Sequence, residues 1–257
     1  PEADSELVWV HAVSLGETRT AAILLRQWRA QSPGLRVLLT HGTATGREQG
    51  LSLLQPGDVQ VWQPWDSRAA VDRFLTHFKP RLGVLLETEV WPNLMAAARA
   101  RGLAVALVNA RLSPKSMASA LRLAWLARPA YGALAAVYAQ TEADARRLAQ
   151  LGAPVAGVLG NLKFDARPDP HLLDLGQSWR TGLTRPVVML ASAREGEEAE
   201  RDRKGRVDDE SKTDTDRKRL DDGDLEGGKG GFHWGPFPTR NARAISVRRA
   251  ALAAARP

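Results

Sequence analysis

The stretch Leu7-Val8-Trp9-Val10-His11-Ala12-Val13-Ser14-Leu15-Gly16-Glu17 decides the fold. Residues 7–13 are apolar toward both faces, which predicts a strand buried on both sides, as in a parallel sheet. A glycine then turns the chain, and the Glu17 carboxylate stands where a helix should begin. In open α/β sheets ligands bind at the carboxyl ends of the strands, so Glu17 falls where a site is expected.

Working outward, six further short runs rich in Val, Leu and Ala predict strands at 36–40, 59–62, 81–86, 103–109, 135–140 and 155–159. Between them, 18–30, 67–78, 94–101 and 143–151 have helical composition, the last ending before Gly152, a suitable helix stop. This βαβα order predicts an α/β fold with a doubly wound parallel sheet over residues 1–165. Pro168, Pro170 and Gly176 suggest a connector over 166–185, and Pro186-Val187-Val188-Met189-Leu190-Ala191 opens a second α/β unit over 186–200. From about Arg201 the character changes. Between Arg201 and Leu225 the large apolar residues are Val207, Leu220 and Leu225, too few to offset the entropy of ordering the segment. Two readings of 201–257 stand open: a disordered basic tail, or a slip of the reading frame near Glu200, which resequencing the DNA at that codon decides.

A hydrophobic content of 44% suffices for a packed core. The formal net charge of +7, carried mostly by Arg, favours anionic partners such as phosphates, nucleic acid or an acidic membrane surface. The absence of cysteine excludes disulfides and thiolate metal sites. No signal peptide is visible, and no apolar run is long enough to span a bilayer. The nearest, 121–139, is interrupted by Arg122, Arg128 and Pro129 and reads as a core helix, a break and a strand.

Each motif at a strand end has a structural and a chemical reading. Glu17 can serve as a general base, yet Ser14-x-x-Glu17 is also a capping box. Gly42-Thr43-Ala44-Thr45-Gly46 can cradle a phosphate or sugar at a helix start, yet Thr45-x-x-Glu48 is again a capping pattern. Glu87-Thr88-Glu89-Val90-Trp91-Pro92 sets two carboxylates at a strand end, where burial is costly without a task or a partner. Its structural reading puts Pro92 in a first helical turn and Trp91 in the core. Asn109 can fix a loop, and Arg111 can bind an anion or pair with one of those carboxylates. Lys163 and Asp165 can face the cleft or pair with each other. Ser192-Ala193-Arg194-Glu195 opens a helix in the second unit and suits a nucleotide phosphate or a sugar carboxylate.

Taken together, the runs 11–17, 87–94, 109–116, 160–165 and 192–198 resemble the Kdo transferases, the 3-deoxy-D-manno-octulosonic acid transferases of lipopolysaccharide synthesis. The resemblance covers about residues 7–200, with 87–94 and 109–116 the most diagnostic. It implies a GT-B architecture, two Rossmann-like domains with the site between them. It also implies transfer of Kdo from CMP-Kdo to a phosphorylated lipid A precursor, with inversion and without a required metal or other cofactor. By resemblance Glu17 is the general base. Glu87, Glu89, Asn109 and Arg111 lie on the acceptor side, with Gly16, Thr43, Thr45 and Lys163 in the cleft loops. Ser192, Arg194 and Glu195 lie on the donor side, although many members carry His where Arg194 stands. The implied location is the cytoplasmic face of the inner membrane, with a membrane surface and no nucleic acid as partner. The family's apolar N-terminal anchor and most of its donor domain have no counterpart here, so the chain as given is expected to lack a complete donor site and to have negligible transferase activity. The competing readings are another GT-B glycosyltransferase or sugar-nucleotide epimerase, a basic nucleic-acid-binding protein, and a non-catalytic fragment that binds anionic lipid.

Overall fold

The computed structural model describes residues 7–166 and 169–184. All seven expected strands form: β1 (Leu7–His11), β2 (Arg36–His41), β3 (Val59–Trp62), β4 (Leu82–Leu86), β5 (Ala104–Ala110), β6 (Ala136–Ala139) and β7 (Val155–Val158). They make one sheet in the order β3-β2-β1-β4-β5-β6-β7, every neighbouring pair parallel. The helices are α1 (Leu15–Gln31), α2 (Ala44–Leu51), α3 (Arg68–Phe78), α4 (Pro92–Ala100), α5 (Pro114–Arg122), α6 (Ala124–Gly132), α7 (Glu142–Gln150) and α8 (Pro170–Thr181). The strand order runs one way from β1 to β3 and the other way from β4 to β7. A crevice therefore opens between the carboxyl ends of β1 and β4, where such folds bind ligands.

The period-2 alternation of the strands feeds two cores. Trp9, Leu38, Leu85 and Leu107 pack on one face with side chains of α3, α4 and α7. Val8, Val10, Leu39 and Val84 pack on the other with Leu24 and Trp28 of α1. Each such burial contributes about 1.5–3 kcal/mol before entropy is charged. Hydroxyl caps then fix where helices start. Ser14, Thr43, Ser67, Ser113 and Thr141 each accept a hydrogen bond from the backbone N–H three residues on. Each cap contributes about 1 kcal/mol and sets a helix N-terminus at the carboxyl edge of the sheet.

Several expectations need correction. Gly16 does not turn the chain; it is the second residue of α1, and Ser14 makes the turn. The cap of α2 is Thr43, so Thr45 is an exposed helical residue and not a cap. Two hydroxyls competed for that role. Thr43 wins because its Oγ1 also donates to the Val13 carbonyl at 2.9 Å, which ties α2 to the end of β1. The run 121–139 breaks at Leu123 and not at Pro129, which α6 holds inside it. Nor is it a core helix: Leu121, Leu123 and Trp125 are exposed, Trp125 by 76%. The expected connector contains α8, because Pro170 sits at the first helical position, where its missing N–H costs nothing. Gly152 behaves as expected, adopting φ +84° just past α7. Among the described residues no helix is long and apolar enough to cross a membrane.

His11 and Trp9 meet on one buried hydroxyl. Trp9 Nε1 donates to Thr40 Oγ1 at 2.8 Å, and His11 Nδ1 lies 2.8 Å from the same oxygen. Burial lowers the His11 pKa to about 4; a hydrogen bond from the ring to the Thr40 backbone opposes the shift and neighbouring His41 adds to it. The folded state therefore refuses a proton that the unfolded chain accepts near its ordinary pKa of about 6.5. Between those values the unfolded state binds more protons, so stability falls as pH falls, by about 3 kcal/mol in all. Urea unfolding at several pH values in that window should show this slope, reduced in His11→Gln. An equal slope in the variant would remove His11 as its source.

Candidate active site

Glu17 stands in the first turn of α1, at the carboxyl end of β1. Its backbone N–H donates to Ser14 Oγ at 3.3 Å, and Ser14 Oγ donates back to Glu17 Oε1 at 3.1 Å. Glu17 Oε2 accepts from the Val13 N–H at 2.8 Å. The carboxylate is thus a helix cap in fact. Those bonds occupy one lone-pair site on each oxygen, and an ionised carboxylate offers about four. One more hydroxyl can therefore donate to Glu17. Burial raises its pKa above the ordinary carboxylate value. The bonds from Val13 and Ser14 oppose that rise, and the charges of Glu89 and Glu87 add to it. A carboxylate in that condition holds a proton better than a surface one, as a general base requires.

The second carboxylate group follows β4. Glu87 is buried, with its backbone at φ 59°, a left-handed conformation that is strained for a residue with a side chain. Two cations pin it: Lys163 Nζ at 2.7 Å from Oε1 and Arg111 Nε at 3.3 Å from Oε2. Arg111 therefore takes the pairing role, and Lys163 pairs with Glu87 and not with Asp165. Next to it on the sheet, Asn109 is also left-handed at φ 54°. Its Oδ1 accepts from the Leu162 N–H at 3.0 Å, and its carbonyl accepts from Gln140 Nε2 at 2.9 Å. Asn109 thus fixes the loop that delivers Lys163. Gly16 faces the same lysine: a Cβ there would lie 3.9 Å from Lys163 Nζ. Glu89 is half-buried, and its Oε2 accepts from Trp91 Nε1 at 3.0 Å. Its pKa is raised by burial, against the bonds from Trp91 and Thr88, with Glu87 adding to the rise. No described Lys or Arg forms an ion pair with Glu17 or Glu89. The crevice therefore holds one carboxylate spent on cations and two without them, on opposite sides of the β1/β4 switch point.

Residues 1–166 match the family described as 3-Deoxy-D-manno-octulosonic-acid transferase (kdotransferase). This chain belongs to the Kdo transferase family. A 3-deoxy-D-manno-octulosonic acid transferase of Bordetella pertussis is 49% identical over 75% of this chain and 46% of its own length. One from Haemophilus influenzae is 30% identical over 74% of this chain and 46% of its own. The chain thus spans about half the length of these relatives. A UDP-GlcNAc 2-epimerase of Neisseria meningitidis, solved with UDP-GlcNAc bound, overlays with TM-score 0.46 at 19% identity, over 68% of this chain and 51% of that one.

Of the Kdo transferase positions expected from sequence, Glu17, Glu87, Glu89, Asn109, Arg111, Gly16 and Lys163 gather around the crevice. Thr43 is spent as the α2 cap, and Thr45 faces solvent. Gly46 is explained by packing, since a Cβ there would meet the Val13 carbonyl oxygen at 2.7 Å. Ser192, Arg194 and Glu195, the second unit and the tail lie outside the described residues. Of the two readings of its motif, the one that packs Trp91 in the core does not hold, since Trp91 is the N-cap of α4 and 38% exposed. Its indole N–H donates to Glu89. Sequence reasoning also passed over Trp62-Gln63-Pro64-Trp65-Asp66, just beyond β3. Two tryptophans at the carboxyl end of a strand were the available signal.

Proposed function

We propose that residues 7–166 form the acceptor half of a GT-B glycosyltransferase, which moves Kdo from CMP-Kdo to a phosphorylated lipid A precursor by a single inverting displacement. The observation that carries this reading is the placement of Glu17, with its raised pKa, across the switch point from Glu89. Glu17 takes the proton of an acceptor hydroxyl. That oxygen forms a bond to the anomeric carbon of Kdo while the bond from that carbon to the CMP phosphate oxygen breaks, and CMP leaves with the electron pair. Glu89 accepts a hydrogen bond from the acceptor and orients it. Lys163 and Arg111 hold the loop at Glu87 in place. The donor side belongs to residues that include Ser192, Arg194 and Glu195.

The surface supports an anionic bilayer as partner. α5 and α6 carry Lys115, Arg122 and Arg128 and no acidic residue, so they bear a net positive charge. Leu121, Leu123 and Trp125 stand exposed among them. Apolar side chains beside basic ones suit the interface of an acidic membrane, here the cytoplasmic face of the inner membrane.

The test is a chimera joining the matching residues of this chain to the remainder of the Bordetella pertussis relative. Given CMP-Kdo and a lipid A precursor, it should yield product heavier by one Kdo unit in mass spectrometry, and none with UDP-sugars. Transfer from a UDP-sugar and not from CMP-Kdo, by a cooperatively folded chimera, would overturn the assignment.

A further inference from the structure

Beside the carboxylates, the ends of β2 and β3 enclose a pocket of about 350 Å³. It is lined by Trp62, Trp65 and Trp91, together with His41, Gly42 and Gln63. Trp9 and Trp28 are buried in the core, whereas Trp62, Trp65 and Trp91 are 52%, 88% and 38% exposed. Three large indoles gathered open around one hollow are not explained by packing; a large exposed apolar surface marks a place where something binds.

The walls are already held in place. The Asp66 carboxylate accepts from the backbone N–H of Leu94 at 2.8 Å and of Asn93 at 3.1 Å, and Asn93 Nδ2 donates to the Asp66 carbonyl at 2.6 Å. The loop after β3 is thereby clasped to the start of α4. The Gln63 N–H donates to the His41 carbonyl at 2.9 Å. Arg47 lies over the Trp62 ring, 5.1 Å from its centre. Trp91 is fixed by its bond to Glu89, so this wall of the pocket is also a wall of the crevice.

We infer that this pocket is a carbohydrate subsite that receives a pyranose ring of the acceptor, next to the ring whose hydroxyl reaches Glu17. The inference rests on the acceptor role proposed above. The volume is near the lower end for ligand pockets and suits one sugar ring with its substituents. The lining distinguishes a sugar from an acyl chain. No described residue hydrogen-bonds the Gln63 side-chain amide or the indole N–H of Trp62 or Trp65. An acyl chain would cover such groups and leave them unpaired, at a cost in free energy. A pyranose ring sets its C–H face on an indole and offers equatorial hydroxyls to the polar rim, and an indole serves both needs.

The test uses the chain itself. A glucosamine disaccharide is titrated while tryptophan fluorescence and saturation-transfer NMR are recorded, with sodium octanoate as the acyl probe. The disaccharide should bind with a Kd on the order of 1 mM. Trp65→Ala should weaken that binding about tenfold, the loss of one aromatic contact. Trp65 is too exposed for its removal to threaten the fold. Disaccharide binding indifferent to Trp65→Ala, no disaccharide binding, or octanoate displacing the sugar from this pocket would each overturn the inference. A chimera that fails to transfer Kdo while the chain still binds the disaccharide through Trp65 would sink the transferase reading and leave the subsite standing.

Discussion

Glu17→Gln in the chimera should reduce Kdo transfer by about 10²- to 10⁴-fold, the range for losing a general base. Its stability should hardly change. Glutamine still satisfies the capping pattern, because one amide oxygen can accept from the Val13 N–H as the carboxylate does now. Glu17→Ala, by contrast, should lose transfer and also about 0.5–2 kcal/mol of stability, since the reciprocal bonds with Ser14 disappear. The pair of variants separates the capping role of Glu17 from the proposed base role. If Glu17→Gln keeps normal transfer, Glu17 is a cap and nothing more. The pH profile adds a second reading. The base works only when ionised, so kcat/KM should rise with pH through an apparent pKa above the ordinary carboxylate range. Glu89→Gln removes one of the like charges holding that value up and should move the rise to lower pH.

Asp58→Ala should cost about 3–5 kcal/mol in urea unfolding, the expected loss when one partner of a buried ion pair is removed. The Asp58 side chain is 1% exposed. Its Oδ1 accepts from the Val37 N–H at 2.8 Å, and its Oδ2 accepts from the Gln55 N–H at 2.8 Å and pairs with Arg29. Arg29 Nη1 also donates to the Leu53 carbonyl at 2.6 Å. One carboxylate thus joins the last turn of α1, the segment before β3 and the start of β2. Its removal strands a guanidinium that is only 14% exposed, together with two backbone donors. A loss below about 1 kcal/mol would show that water replaces the aspartate without penalty.

The contrast between these two acids shows what sequence can carry. Glu17 was legible because its position follows from a local pattern, a buried strand and then a cap. The five inner strands, β2, β1, β4, β5 and β6, were legible for a similar reason: both faces of each are buried, so their composition gives them away. Asp58 was not, because it follows Pro56-Gly57 and reads as an ordinary turn residue; its burial depends on Arg29, 29 positions earlier. The choice of Lys163 as partner for Glu87 spans 76 positions and is set by Asn109 holding the intervening loop. Trp62 and Trp65 look like core residues in any linear reading. Trp62 ends the edge strand β3, and the clasp between Asp66 and α4 holds the loop that carries Trp65. At 121–139 the apolar content suggested burial, and the break at Leu123 left those side chains on the surface instead.

The left-handed backbone at Glu87 has a consequence for engineering. Glycine would adopt φ 59° without strain, and the two cations it would release are half-exposed and can turn to water. A search for heat tolerance alone would therefore drift toward glycine at 87, easing the backbone while dismantling the clamp beside Glu17 and Glu89. At this position the most comfortable residue and the most useful one differ, and any thermostabilised descendant should keep glutamate there by rule.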